Sequence, residues 1–352
     1  MNIGIDISPL KSGHYLQHRV RGTGFYLQNL KESLKGEDKN NSYIFYDRST
    51  SIPGNIDLIH IPYFEPFFIT LPIIKKVKTI VTVHDLTPLV FSKNFPSGIK
   101  GKLKWNIQKL LLKQADAIIT DSNSSKKDIV QYTGISANKI SVVYLAAGEE
   151  FKKLEIGNWK LEIGKRYGLP EKFALCVGDV TWNKNLPRLI KAAIKADVPL
   201  VMVGKALVEK DFDKNNPWNQ DLVEVQKLAE NKKIIRLGFV PTDDLVALYN
   251  LAKVFIMPSL YEGFGLPILE AMACGCPVLT SKEGSIPEVA GNAAFYVDAY
   301  SVDSITEGIK KVFEDKKLQE ELSEEGIKQA KKFSWKKTAE NTISVYQQVL
   351  KL

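Results

Sequence analysis

Residues 258–281 read PSLYEGFGLPILEAMACGCPVLTS, and the fold is decided by what lies around them. The apolar run Val254–Met257 leads in as a buried strand, and Val278–Thr280 leads out as another. Between them Glu262 stands in a Gly-rich turn. A helix then opens at Leu266-Pro267 and carries Glu270 within its first turns. Gly263 and Gly265 permit unusual φ values and close approach of a ligand to the backbone. With Phe264 they present backbone N–H groups at a positive helix end, which is an anion pocket whose usual occupant is phosphate.

Working back from that stretch, strands and helices alternate. Phe173–Val177, Pro199–Val203 and Ile234–Leu237 read as strands, with helices at Leu186–Lys195, Leu222–Asn231 and Asp243–Ala252, the last with Thr242 as its N-cap. Ala294–Val297 continues the series, and Ser301–Leu352 is a helical tail broken near Phe333-Ser334. An earlier series runs through strands at Asn2–Ile7, Tyr43–Tyr46, Ile56–Ile61, Thr79–His84, Ala117–Thr120 and Ile140–Tyr144. Helices are expected near Phe25–Lys35, Gly98–Gln114 and Ser124–Tyr132. Gly148–Lys160, charged and without a strong period, reads as the boundary. The fold class is therefore α/β, with two doubly wound Rossmann-like domains facing a cleft. Residues 1–155 form the first domain and 160–333 the second, with a last helix at about 335–352.

Composition agrees with a soluble globular chain. Of 352 residues 44% are hydrophobic and 25% charged, enough for two cores. No signal-peptide pattern opens the sequence, and no apolar run approaches the roughly 18 residues of a membrane span. Cys176, Cys274 and Cys276 suit small buried thiols in a reducing compartment, so the expected location is cytoplasmic. The charge is lopsided. Residues 1–160 hold 22 Lys and Arg against 14 Asp and Glu, and the rest of the chain holds 26 against 26. The whole excess of +8 thus lies in the first part and invites an anionic partner.

Several side chains stand where chemistry is done. His84 ends a strand, where ligands of such sheets bind, although a histidine satisfied in the core is the alternative. The loop Gly178–Asn185 places Lys184 near a helix N-terminus, where a cation is disfavoured unless an anion joins it. Gly22 and Gly24 follow the first strand in a loop that also holds Gly13, and they fit a plain turn or a ligand loop. Glu262 and Glu270 raise a hydrolase pair, against which the adjoining anion pocket and the doubly wound fold argue. Asp211-Phe212-Asp213 has the form of a metal-binding pair but lies in a polar loop, and no metal site is expected. The stretch Gly98–Gln114 carries Lys100, Lys102, Lys104, Lys109 and Lys113 among Ile99, Leu103, Ile107, Leu110 and Leu111. It reads as a core-facing helix with a solvated basic face, or as an interfacial helix on anionic lipid, helped by the apolar Tyr63–Leu71. No nucleic-acid motif accompanies the basic excess.

SLYEGFGLPILEAMACGCPVLTS, followed by Ser285–Gly291, resembles the second half of retaining glycosyltransferases of family 4, which have the GT-B fold, and VGDVTWNKNLPRLIKA and LGFVPTDDLVALYNLAKVFIMPS match the same family in the same order. The resemblance covers nearly all of 173–300. In the first half it rests on Arg21–Gly24, His84-Asp85 and the strand order. It implies transfer of a mannosyl or glucosyl unit from a nucleotide-diphosphate sugar to a glycan or lipid-linked acceptor in cell-surface polysaccharide synthesis. No cofactor and no obligatory metal are implied. A nucleotide-sugar 2-epimerase or a non-catalytic nucleotide-sugar binding protein would share the architecture.

By the same resemblance Glu262 contacts the donor sugar, Glu270 the ribose hydroxyls, and Lys184 the leaving diphosphate. Gly263, Phe264, Gly265 and Leu266 would supply backbone donors, with Asn183 beside them. Phe239-Val240 would meet the base, His84 would lie beside the transferred sugar, and Gly22 and Gly24 would close over the diphosphate. The last helix would return to the first domain. Where many members carry Arg one or five residues after the equivalent of Gly178, this chain has Asp179 and Asn183. The reaction implied is front-face displacement, with Lys184 and preorganised N–H groups stabilising the departing phosphate.

Overall fold

Short apolar runs become parallel strands, buried on both faces, as continuous Val, Ile and Leu require. The computed structural model describes residues 1–10, 21–47, 54–155 and 157–351. Its two units are Met1–Leu145 with Phe333–Leu352, and Ala146–Lys332. In the first unit the strands are β1 (Asn2–Asp6), β2 (Ser42–Tyr46), β3 (Leu58–Ile61), β4 (Lys78–Thr82), β5 (Ala117–Thr120) and β6 (Ile140–Val142). They lie in the order β2-β1-β3-β4-β5-β6, all parallel. The second unit has β7 (Ala174–Val177), β8 (Leu200–Val203), β9 (Ile234–Leu237), β10 (Val254–Met257), β11 (Val278–Thr280) and β12 (Phe295–Tyr296). Their order is β12-β11-β10-β7-β8-β9, again parallel. Every expected strand is present with its ends within two residues.

Each sheet changes its winding direction once, between β1 and β3 in the first unit and between β7 and β10 in the second. Loops leaving neighbouring strands at such a point diverge to opposite faces of the sheet and open a crevice at the carboxyl ends. Helices cover the faces through apolar stripes. Leu186–Ala196 buries Leu186, Leu189, Ile190 and Ala193, and Val302–Glu314 buries Ile305, Ile309 and Val312. All three cysteines are free and buried. Burial pushes the thiols of Cys176 and Cys274 up to about 12, so they are inert.

The tail forms three helices, Val302–Glu314, Lys316–Ala330 and Trp335–Lys351, because the Asp315 carboxylate ends one and caps the next by accepting from Leu318 N. The last helix belongs to the first unit. Its buried stripe is Trp335, Ala339, Thr342, Val345, Tyr346 and Val349, and Trp335 meets the rings of Phe25 and Tyr26. The His60 ring, fully buried, sits between the Tyr346 hydroxyl at 2.7 Å and the Thr82 hydroxyl at 2.8 Å.

Three local expectations change. The helix after β1 spans Arg21–Glu37, so Gly22 and Gly24 lie in its first turn and not in a loop. First-turn N–H groups lack intrahelical partners in any case, which makes that turn a mild place for glycine. Gly13 and the Arg21 side chain lie outside the described residues. Thr242 is the first helical residue of Thr242–Leu251, and Pro241 precedes it as the flanking residue. The helix Gly98–Lys113 turns only part of its apolar set to the core, with Leu111, Leu112 and Trp105 packed inward. Ile99, Leu103, Ile107 and Leu110 are exposed, while Gly101, Gln108 and Leu112 are buried.

Candidate functional site

The second unit brings its candidate side chains Lys184 and Glu262 together at the β7–β10 crossing point. After β7 the chain makes a short 3-10 turn, Trp182–Lys184, and enters the helix Leu186–Ala196 through Asn185 at φ 59°. After β10 it runs through Pro258–Gly265 into the helix Leu266–Ala273, with Gly265 at φ 95° as the flanking residue and no side-chain cap. A β-carbon at residue 265 would strain that backbone, and the open helix end keeps its positive potential.

The two loops are stitched together. Leu260 N donates to Asn183 O at 2.7 Å, and Asn183 Nδ2 donates to Tyr261 O at 3.0 Å. Asn185 Nδ2 donates to Pro258 O at 2.9 Å and to Ala299 O at 2.7 Å. From the β11 side Thr280 Oγ1 donates to Met257 O, and Ser285 Oγ donates to both Glu262 O and Phe264 O at 2.9 Å. Gly284, at φ 62°, packs so tightly that an added Cβ would stand 2.6 Å from Glu262 O. The carbonyl side of the loop is thus engaged almost residue by residue, which fixes where Glu262 points.

That carboxylate meets Lys184. Nζ lies 2.9 Å from both Glu262 oxygens, with the lysine side chain 21% exposed and the glutamate 9%. The pair is nearly dry on the acid side and reachable on the lysine side. Glu270 lies on the inner side of its helix and accepts from the fully buried Tyr249 hydroxyl at 2.9 Å. Burial pushes the Glu270 carboxyl up to about 7, against the smaller downward pull of that hydroxyl.

Sequence reasoning placed Glu262, Lys184 and Glu270 in one site; the structure pairs Glu262 with Lys184 after β10 and β7, and sets Glu270 one turn into the following helix against Tyr249. Gly263, Gly265 and Leu266 stand at the helix opening and Phe264 is buried among them. Asn183 differs in kind. Its side chain is spent on Tyr261 O and on the Thr181 hydroxyl, so it holds the loops together. Of the pair expected to meet a base, Phe239 is 73% exposed and Val240 is buried. Asp211 and Asp213 are exposed in a loop, and among the described residues no group of three or more His, Cys, Asp or Glu is placed to hold a metal ion. Ser285, Gly284, Asn185 and Tyr249 were missed. Only a glycine and serine one strand further along the sequence from the anion pocket signal the first two.

In the first unit His84 follows β4, and Asp121 follows its neighbour β5. His84 Nδ1 lies 2.7 Å from Asp121 Oδ2, and the Tyr26 ring packs edge-on against the imidazole. Burial pushes the His84 ring down, but the Asp121 carboxylate outweighs it and the net displacement is upward. Burial raises Asp121 itself above the usual carboxylate range. His84 Nε2 is buried without a well-formed hydrogen bond, while the Pro62 backbone near the ring adds to its upward displacement. Gly22 and Gly24 begin the helix that follows β1, with no side chain crowding either.

The chain matches the model of glycosyl transferases group 1 over residues 160–329 and that of glycosyltransferase family 4 over 28–147. It is 32% identical over 286 residues to serotype-specific mannosyltransferase WbdA of Escherichia coli, covering 78% of this chain and 34% of that protein. The chain therefore spans about a third of that relative's length. To the O-antigen chain mannosyltransferase B of Escherichia coli it is 31% identical over 280 residues, 76% of this chain and 70% of the relative. Among solved structures, Anabaena Alr3699/HepE in complex with UDP-glucose superposes with a TM-score of 0.71 at 18% identity, covering all of both chains. Sucrose-phosphate synthase from Thermosynechococcus elongatus does so with a TM-score of 0.71 at 17% identity over 99% of each. Both six-stranded units and the site-bearing loops are accounted for by these matches, and the chain belongs to the family 4, group 1 glycosyltransferases of GT-B fold.

Proposed function

We propose that the chain is a retaining glycosyltransferase that moves a hexosyl unit, of mannosyl or glucosyl type, from a nucleotide-diphosphate sugar to a glycan or lipid-linked acceptor in polysaccharide synthesis. The observation that carries the reading is the Lys184–Glu262 pair at the β7–β10 crossing, beside an uncapped helix end. A cation, an acid and helix-end amides in one place suit a ligand that is anionic at one end and hydroxylated at the other. The mannosyltransferases among the relatives favour the mannosyl reading.

In this reading the bond between the anomeric carbon and the diphosphate oxygen breaks with its electron pair going to phosphate. Lys184 and the helix-end amides hold that growing charge. The acceptor hydroxyl attacks from the same face, and its proton passes to the departing phosphate. Glu262 orients the sugar, Glu270 the ribose, and His84 the hydroxyls of the transferred residue. Charge neutralisation falls to the protein's own groups, with no metal assigned a step. The buried free thiols suit the cytoplasm.

The test is product stereochemistry. Purified protein is incubated with mannosyl and glucosyl nucleotide donors and a glycan acceptor, and the new linkage is assigned by NMR. An α-linked product from an α-configured donor is expected. Release of nucleoside diphosphate with free 2-epimeric sugar would support the epimerase, binding without turnover would support a sensor, and an inverted linkage would remove the mechanism.

A further inference from the structure

The helix Gly98–Lys113 is clamped with its aliphatic stripe facing solvent. On the inner side Gln108, fully buried, donates to Glu65 O at 3.0 Å and to Thr70 Oγ1 at 2.6 Å, and accepts from Leu71 N at 3.3 Å. Gly101 lies against the Phe67 ring, where an added Cβ would stand 3.7 Å away, and Leu112 is wholly buried. Rotating the helix to hide its aliphatic residues would break the Gln108 clamp. Outward point Ile99 (88% exposed), Leu103 (62%), Ile107 (39%) and Leu110 (64%), spaced four, four and three residues apart on one helical face.

A second element extends the patch. Ile73 and Ile74 are 74% and 72% exposed, and Lys75 just after them donates to Gln114 O at 3.0 Å, tying this segment to the helix's carboxyl end. Single exposed aliphatics are ordinary, but a stripe with a second cluster beside its end marks a covered surface. The charge around it is mostly positive, with Asp116 just past the helix pairing Lys75 at 2.6 Å and Lys78 at 3.7 Å. Lys100, Lys102, Lys104, Lys109 and Lys113 share the helix, Lys76 and Lys78 follow the isoleucines, and no Asp or Glu occurs between residues 86 and 115.

We infer that this face docks on an anionic lipid bilayer. Ile99, Leu103, Ile107 and Leu110, with Ile73 and Ile74, enter the acyl boundary, and the lysines lie along the headgroups. A second copy of the chain fits worse, since a two-fold contact would set two lysine-rich faces against each other. A nucleic acid would leave the aliphatic stripe in water. Among the described residues no helix is long and apolar enough to cross a membrane, so the contact is one of surface insertion.

The experiment is vesicle flotation of the full chain, with phosphatidylglycerol–phosphatidylcholine vesicles against phosphatidylcholine alone. Binding is expected to the mixed vesicles only and to weaken with salt. Lys100→Gln and Lys102→Gln should each reduce partition about fivefold. Leu103→Glu with Leu110→Glu should abolish it while thermal unfolding and circular dichroism stay unchanged, since both residues are exposed. Vesicle binding that survives the glutamates overturns the proposal. So does a concentration-dependent dimer that those glutamates dissolve with no vesicle binding, or RNA binding that depends on the lysines with no vesicle binding.

Discussion

Lys184 Nζ is equidistant, at 2.9 Å, from the two carboxylate oxygens of Glu262. The residues are 78 apart in sequence but come from loops on adjacent strands, β7 and β10. Glu262 is held by its backbone through Ser285 and Gly284, so the lysine comes to the acid. On the proposed function an incoming diphosphate would share Lys184 with that carboxylate.

Competition of this kind has opposite signs for binding and for transfer. Glu262→Gln removes a negative charge beside Lys184, and nucleoside diphosphate affinity should rise by about tenfold, the scale of ~1.4 kcal/mol for one charge at these distances. Lys184→Met should lower it by a similar factor. Both should cut transfer. Isothermal titration calorimetry reads the affinities. If Glu262→Gln weakens the diphosphate as much as Lys184→Met does, the two do not compete.

Asp121 should set the charge state of His84. With Asp121→Asn the largest upward pull is gone, leaving burial against the smaller upward pulls of Asp85 and the Pro62 backbone, so the His84 midpoint should fall from its raised value, read by NMR titration of the ring. The sign for stability follows. A folded value above the unfolded one gives the pair its full contribution below about 6.5, fading as pH rises through the folded value. That slope should shrink in Asp121→Asn, and reverse sign if burial takes the folded value below the unfolded one. An unchanged midpoint would leave the carboxylate without the role assigned.

Much of this was legible in sequence because buried parallel strands must be apolar throughout, and Gly, Pro and lone charges punctuate them. Glu262, Glu270 and Lys184 stood out as charges beside helix starts. What sequence could not carry was strand order. The adjacency of β7 and β10, and with it the Lys184–Glu262 contact, is a tertiary fact. The same holds for Asp121, which is an ordinary strand-end aspartate until β4 and β5 are paired. Helix 98–113 failed differently. Its mixed Lys and Leu pattern fits either orientation, and a buried polar residue, Gln108, decided between them.

Tyr346 joins the last helix to the first sheet. The buried His60 ring is pushed down to about 3 by burial and by nearby His84, so it is neutral and needs one donor and one acceptor. Tyr346→Phe leaves Nδ1 without its partner, at a cost of about 1–3 kcal/mol. Urea unfolding should show the loss, and hydrogen exchange should rise in β3 and in Trp335–Lys351. A change below about 0.5 kcal/mol would mean the ring finds another partner.

Glu270 gives the molecule a pH dependence of the reverse kind from an ordinary surface acid. Its carboxyl rises from 4.5 unfolded to about 7 folded, chiefly through burial. The native state therefore holds a proton that the unfolded chain has lost, and this term is fully present below 4.5 and disappears as pH rises through about 7. The loss is on the order of 3 kcal/mol. Glu270→Gln keeps an acceptor for the Tyr249 hydroxyl but cannot ionise, so its stability should be flat across that window and exceed the parent's above it. Donor binding adds a second readout. Ribose hydroxyls donating to the carboxylate favour its charged form, so nucleotide binding near pH 7 should release a proton. Calorimetry in buffers of different ionisation enthalpy measures it. A Glu270→Gln variant that still releases the proton would place the ionisation elsewhere.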